Sequence, residues 1–182
     1  MNSRGLKIIS GGQTGADRAA LDWAIRHGFP HGGWCPRGRA AEDGPISKRY
    51  MLRQTESADY AQRTERNVLD SDGTVILSLH RDLTGGSKLT YDLALKHGKP
   101  VLHLHARSLR PAARLARFLR QHGIAVLNVA GPRASQEPEI GQFVTRVLDQ
   151  AISATTNPRP SSLVPPQAPR HGVVDSLPLS NP

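Results

Sequence analysis

The chain has 182 residues, a length that suits one domain and is short for two. Its 24 lysines and arginines outnumber 15 acidic residues, and the formal net charge of +9 favours anionic partners such as phosphate esters. The single cysteine, Cys35, excludes an internal disulfide. No apolar run approaches the roughly 18 residues of a membrane-spanning helix, and no secretion signal is recognisable, so we expect a cytoplasmic protein without membrane contact.

Short apolar segments alternate with helical patterns over residues 1–154. Strands are predicted at residues 7–10, 74–79, 100–105 and 125–130. Helices are predicted at residues 16–27, 57–69, 87–97, 108–122 and 138–154. This alternation predicts one α/β domain, a three-layer sandwich with a mostly parallel sheet covered by helices on both faces.

Two stretches depart from this alternation. Residues 32–55 are rich in Gly, Pro and charge and have no clear period, and such long irregular segments are usually functional or mobile. Residues 155–182 carry half of the 14 prolines and no aromatic residue. Their composition predicts a disordered Pro/Ser-rich tail.

A glycine-rich loop joins the first strand to the first helix in "SGGQTGAD". Glycines at this position let backbone N–H groups approach an oxyanion, and the helix adds its positive dipole end. The candidate ligand contacts are Gly11, Gly12, Gln13, Thr14, Gly15 and Asp17. A purely structural turn is the alternative, because the loop matches neither the dinucleotide fingerprint nor the Walker lysine pattern.

A second loop of the same design follows the strand at residues 74–79. Its candidate contacts are Thr84, Gly85, Gly86 and Ser87. Loops that follow parallel strands gather at one edge of the sheet, so the two loops are predicted to hold one phosphate-bearing ligand. Arg37 and Arg49, in the irregular stretch, are the predicted charge partners of that phosphate, with a solvated loop of mixed charge as the alternative.

Other functional classes have weaker support. Arginines recur three or four apart between residues 107 and 120, which is typical of a solvated helix face. Nucleic acid is not an expected partner, because aromatic side chains that would stack on bases are scarce. His103 and His105 lack further ligands at metal-binding spacing, so no metal site is predicted. No residue is predicted to be catalytic.

The segments "SGGQTGADRAALDWAI", "GGWCPRGRAAEDGPI", "RTERNVLDSDGT" and "LTGGSKLTYDLA", in this order, closely resemble the molybdenum carrier (molybdenum cofactor carrier protein-like) family. This family is a circularly permuted branch of the SLOG (Smf/DprA and LOG) superfamily, and the resemblance covers roughly residues 6–150. It implies a Rossmann-like fold and a binding protein more than an enzyme.

The resemblance also implies a ligand and partners. The ligand would be the molybdenum cofactor (molybdopterin with its metal), whose terminal phosphate would sit on the glycine loops. A homo-oligomer, dimer or tetramer, would store, protect or transfer it to a molybdoenzyme. Three alternatives remain open: a nucleotide ligand, a LOG-like phosphoribohydrolase using Asp17 or Glu42 on nucleoside monophosphates, and single-stranded DNA binding as in DNA-processing relatives.

Overall fold

The computed structural model describes residues 5–156, with the backbone alone described for residues 153–156. Eight strands are present: β1 Lys7–Ile9, β2 His31–Cys35, β3 Ala40–Ala41, β4 Gly44–Pro45, β5 Leu52–Gln54, β6 Gly73–Ser78, β7 Val101–His105 and β8 Val126–Ala130. Five α-helices accompany them: α1 Ala16–Arg26, α2 Tyr60–Leu69, α3 Gly85–Lys96, α4 Pro111–Gln121 and α5 Ile140–Thr156. All predicted strands and helices form, with ends shifted by at most three residues.

Six strands form one parallel sheet in the order β5-β2-β1-β8-β6-β7, while β3 and β4 form a small antiparallel hairpin. β8, the last of the described strands, lies between β1 and β6. From β1 the chain crosses to β2 on one side, whereas from β6 it crosses to β7 on the other. Crossovers of opposite direction place α1 and α3 on opposite faces of the sheet, because parallel crossovers are right-handed.

The helices form two layers around the sheet. α5 packs against α1 and α4 on one face, and α2 packs against α3 on the other. The main apolar core lies on the α1/α4/α5 face and includes Trp23, Leu77 and Leu148, all nearly inaccessible to solvent. The prediction of an α/β three-layer, Rossmann-like sandwich is confirmed.

The prediction that residues 32–55 are irregular is wrong in part, since β2 and β5 of the main sheet lie within or overlap this stretch. β2 has the sequence "HGGWC", whose glycines weaken the usual strand pattern. Gly33 is required by close packing, because a Cβ there would lie 2.3 Å from the carbonyl oxygen of Ser10. β5 is a three-residue edge strand, too short to show a period.

The last helix, α5, continues to Thr156, two residues beyond the predicted end of the domain at residue 154. The predicted disordered tail, apart from its first two residues, lies outside the described residues. Within residues 5–156, no helix combines the length and apolar character needed to cross a membrane.

Candidate functional site

A cleft lies at the carboxyl edge of the sheet, where the loops after β1, β6 and β8 meet. Ligands of open α/β sheets bind at such a point, where neighbouring crossovers diverge. The cleft has two parts, which we call the small cavity, of about 40 Å³, and the large cavity, of about 360 Å³. Ser87 and Gln136 line both cavities, so the two are neighbours.

The small cavity brings the two predicted glycine loops together. Gln13 and Asp17 line it from the first loop, and Gly86 and Ser87 line it from the second. Its other lining residues are Arg63, Thr64, Thr90, Ala130, Gly131, Arg133 and Gln136. The large cavity is lined by Ser78, His80, Asp82, Leu83, Thr84, Ser87, Pro132, Gln136 and Glu137.

The glycines of the first loop face the protein itself. Gly12 has a φ of +78°, and a Cβ there would lie 2.5 Å from Leu52 Cδ1. A Cβ on Gly15 would lie 2.5 Å from the carbonyl oxygen of Pro132, and one on Gly11 would collide with the guanidinium of Arg63. These three glycines permit tight packing of the loop, and none of them lines either cavity.

Asp17 acts as an internal anion for the first loop. Its Oδ2 accepts a hydrogen bond from the backbone amide of Gln13 at 3.3 Å and forms an ion pair with Arg63 Nη1 at 3.2 Å. The Asp17 side chain is 4% exposed and that of Arg63 is 15% exposed. Burial raises the pKa of Asp17 above its usual value, and the charge of Arg63 opposes that rise. The buried pair therefore occupies part of the position at which an external anion was predicted.

Gln13 combines a fixed orientation with an unused donor. Its Oε1 accepts the amides of Thr14 and Glu42, each at 3.0 Å, which assigns the other side-chain atom as nitrogen. The residue is 6% exposed, and its Nε2 is buried with no hydrogen-bond partner among the described residues. A buried donor without a partner costs free energy, so this atom marks a place for an acceptor.

Glu42 connects the first loop to the loop after β8. Its carboxylate accepts hydrogen bonds from the Thr14 hydroxyl and from the Ser135 amide, the latter at 3.2 Å. The Ser135 hydroxyl also donates to the Glu42 carboxylate. This bond above all, together with the bond from the Thr14 hydroxyl, lowers the pKa of Glu42 below its usual value. Thr14 thus donates its hydroxyl to Glu42 and makes no side-chain cap on α1.

The second glycine loop, in contrast, is open. A Cβ on Gly85 or Gly86 would meet no other atom within 4 Å. The first hydrogen bond of α3 runs from the Lys88 amide to the Thr84 carbonyl, so the amides of residues 85–87 have no acceptor within the helix. This helix end offers donors and a positive dipole to the cleft.

Arg37 and Arg49 are not brought to the cleft. Arg37 is exposed and lines neither cavity. Arg49 pairs with Asp22 on the outer side of α1 and lines a separate surface groove of about 830 Å³ between α1 and α5. Among the described residues, the guanidinium groups that line the cleft belong instead to Arg63 and Arg133.

Sequence reasoning missed Arg63, Arg133, Gln136 and Glu137 as cleft residues. Arg63 lies on α2, outside both glycine loops, and the other three lie in a polar loop without period. Arg39 was also missed as a structural residue: its guanidinium donates to the carbonyls of Ile46, Ser47, Tyr50 and Leu52. Only the parallel topology, which gathers the loops, could have signalled the β8–α5 loop.

No group of three or more His, Cys, Asp or Glu side chains in the described part of the chain is arranged to hold a metal ion. Ser78 and His103 form a hydrogen-bonded pair beside the large cavity, with 2.7 Å between Oγ and Nε2. Ser78 Oγ also lies 2.6 Å from the carbonyl oxygen of His80, to which it donates. Since its proton is directed to that carbonyl, Ser78 is not arranged as an activated nucleophile.

Comparison with known proteins agrees with this architecture. Residues 8–152 match the model of the circularly permutated YpsA SLOG family. A crystal structure of a protein from Syntrophus aciditrophicus, named "putative molybdenum carrier protein", has 51% sequence identity and a TM-score of 0.77. The match covers 80% of this chain and 93% of that chain. No match is found among curated protein sequences. On the extent of the family match and the identity to the solved relative, the chain belongs to the circularly permutated YpsA SLOG family.

Proposed function

We propose that this protein binds a phosphate-bearing small molecule in the cleft, and that this molecule is the molybdenum cofactor, held for storage, protection or transfer. The observation that carries the proposal is the open N-terminus of α3 at the small cavity, opposite Gln13, whose buried Nε2 has no hydrogen-bond partner among the described residues. The molybdenum carrier name of the solved relative from Syntrophus aciditrophicus supports the choice of ligand.

The phosphate is assigned to the N-terminus of α3. The amides of residues 85–87 and the hydroxyl of Ser87 are donors there, and Gln13 Nε2 adds another from the facing loop. Arg133 lines the same cavity and is paired weakly, at 3.9 Å, with Glu42. The positive charge of Arg63 is balanced by Asp17, so Arg133 and the helix dipole supply the net attraction for the phosphate.

The large cavity is the place for the ring system attached to the phosphate. It adjoins the small cavity at Ser87 and Gln136, and its volume of about 360 Å³ is ample for a bicyclic ring. Small-molecule sites commonly measure about 300–1,000 Å³. The dithiolene of the cofactor already holds the metal, so the protein needs no metal ligands of its own.

The phosphoribohydrolase alternative has less support. Asp17 is paired with Arg63, and Glu42 is hydrogen-bonded to Thr14 and Ser135. Neither carboxylate lines the large cavity, where the N-glycosidic bond between base and ribose would lie. A binding protein is therefore favoured over an enzyme.

Titration calorimetry on the full chain tests the phosphate site. We expect GMP to bind and guanosine, which lacks the phosphate, to bind at least about 10-fold more weakly, as charged hydrogen bonds contribute about 1.5–3 kcal/mol. Gln13→Glu keeps the oxygen that accepts the Thr14 amide but replaces the donor by a negative charge, so it should reduce GMP affinity by at least the same factor.

Gln142→Glu, on the exposed side of α5, is the matched control and should bind GMP like the wild type. Equal affinity of GMP and guanosine, or of wild type and Gln13→Glu, would refute the phosphate assignment. Native mass spectrometry of protein purified from its own cells tests the cargo: a bound mass equal to that of the cofactor is expected.

The same native spectra measure the number of subunits. We propose a cytoplasmic homo-oligomer, dimer or tetramer, that delivers its cargo to a molybdoenzyme, by analogy with the family. A strictly monomeric spectrum at micromolar concentration would refute the oligomer.

A further inference from the structure

Glu137 is a buried carboxylate in the wall of the large cavity. The residue is 7% exposed, and no lysine, arginine or histidine among the described residues lies within 4.0 Å of its oxygens. It lines the large cavity directly beside Gln136. Acidic side chains are almost never fully buried unless they are paired, so this position needs an explanation.

One oxygen of Glu137 has a structural partner and the other does not. Oε2 accepts the backbone amide of Leu79 at 2.5 Å, just beyond the end of β6. No hydrogen bond from a described residue reaches Oε1, and Oε1 is not among the fully buried oxygens without a partner. The backbone around it is held in place, because the Glu137 amide donates to the Arg133 carbonyl and the Ile140 amide donates to the Glu137 carbonyl, both at 3.1 Å.

The contact with Leu79 does not require an acid. The side-chain carbonyl of glutamine would accept that amide equally well, without the cost of burying a charge. The protein therefore carries an acid at a position where a neutral acceptor would serve its own contact. Groups of that kind are typical of ligand sites, where stability is given up for binding.

The chemistry of the cavity restricts what Glu137 binds. A metal ion is disfavoured, because no cluster of three or more potential ligands occurs in residues 5–156. A carboxylate accepts hydrogen bonds and donates none when ionised, so its partner must present N–H or O–H groups. Two adjacent N–H donors are the best match for a carboxylate.

We propose that Glu137 selects ligands that carry a 2-amino-4-oxopyrimidine edge, in which a ring N–H lies next to an exocyclic amino group. This edge is common to guanine and to pterins. Adenine presents an acceptor nitrogen in place of the ring N–H, and hypoxanthine lacks the amino group. The inference rests on the proposed function, because the phosphate end at α3 directs the ring into the large cavity.

Binding of a nucleotide series tests the inference. Wild-type protein should bind GMP about 10-fold or more tightly than IMP, and AMP should bind weakest, since each lost charged hydrogen bond costs about 1.5–3 kcal/mol. A 2-amino-4-oxopteridine carrying a phosphate, compared with its 2,4-dioxo analogue, distinguishes pterin from guanine as the source of the edge.

Glu137→Gln is the informative variant, because it preserves the acceptor for Leu79 and places an amide donor before the ring. We expect GMP affinity to fall at least about 10-fold while AMP affinity changes little, and the melting temperature to be equal or higher. Glu139→Gln, an exposed neighbour, is the control and should match the wild type.

The outcomes separate the two proposals. Equal binding of GMP, IMP and AMP by the wild type would leave the phosphate site intact and overturn the role of Glu137. Equal losses for GMP and AMP in Glu137→Gln, or a lower melting temperature, would show a structural role and also overturn it. If no phosphorylated ring binds the wild type at all, both the proposed function and this inference fail.

Discussion

Replacing Gly12 and Gly86 separately with alanine should distinguish packing from ligand binding in the two glycine loops. Gly12 has a φ of +78°, and its new Cβ would lie 2.5 Å from Leu52 Cδ1 and 3.2 Å from Ile46 Cδ1. At Gly86 a Cβ would meet no protein atom within 4 Å, and its φ is not in the left-handed region. The same methyl group is therefore added to a closed site and to an open one.

The expected magnitudes follow from these contacts. A non-glycine residue in the left-handed region costs about 1–2 kcal/mol, and overpacking of a filled site costs about 1–3 kcal/mol more. For Gly12→Ala we expect a loss of about 3 kcal/mol, or a melting temperature lower by about 6–12 °C in a domain of this size. Gly86→Ala should be neutral or gain up to about 1 kcal/mol, because alanine is the better helix former.

Urea denaturation and GMP titration, performed on both variants, make the comparison. Gly12→Ala should lose stability and keep its GMP affinity in the folded fraction. Gly86→Ala should keep its stability and bind GMP more weakly, because Gly86 lines the small cavity and an added methyl group narrows the approach to the amides of α3. A stable Gly12→Ala that no longer binds, together with a destabilised Gly86→Ala, would refute the division between a packing loop and a ligand loop.

Three further predictions concern charged groups. Arg63→Met should lower the free energy of unfolding by about 3–5 kcal/mol at pH 7, because it leaves a buried carboxylate unpaired. This loss of stability should shrink as the pH falls towards 3.8, the unfolded-state pKa of Asp17, because the folded variant then holds the protonated acid. Urea denaturation at pH 7 and pH 5 measures the loss, with Arg66→Met as the control. A loss that does not depend on pH would contradict the prediction. Glu42→Gln should speed amide hydrogen exchange in the β3–β4 hairpin. Since the pKa of Glu42 is lowered in the folded protein, the stabilising effect of this carboxylate in the wild type should be lost as the pH falls below 4.5. Unchanged exchange in the variant would contradict a stabilising role of Glu42. Burial lowers the pKa of His103 below 6.5, so the unfolded chain takes up this proton before the folded protein does. The free energy of unfolding should therefore decline as the pH falls below 6.5. His103→Asn should flatten this part of the plot of stability against pH, and an unchanged slope would exclude His103 as its source.

Four strands of the main sheet and the five helices could be predicted, because their apolar periods are local properties of the chain. β6, with six buried residues, is recognisable from its own sequence. β2 and β5 could not be predicted, because one owes its place to the close approach of Gly33 to Ser10 and the other is three residues long.

The candidate site shows the same limit at finer scale. Gly12 and Gly86 occupy similar loops, and the sequence contains nothing to tell that one faces Leu52 and the other the cleft. Glu137 lies in a polar stretch and is buried through a contact with Leu79, 58 residues earlier in the chain. Contacts of that range depend on the completed topology.

The position of β8 has a consequence for biosynthesis. β8 follows every other described strand along the chain, yet it separates β1 from β6 in the finished sheet. Until its residues 126–130 are available, the nascent chain can form only two partial sheets, β5-β2-β1 and β6-β7, each with an open edge that invites wrong pairing. Completion of this sheet therefore waits for the synthesis of β8, and until then the open edges of the two partial sheets are exposed to wrong pairing.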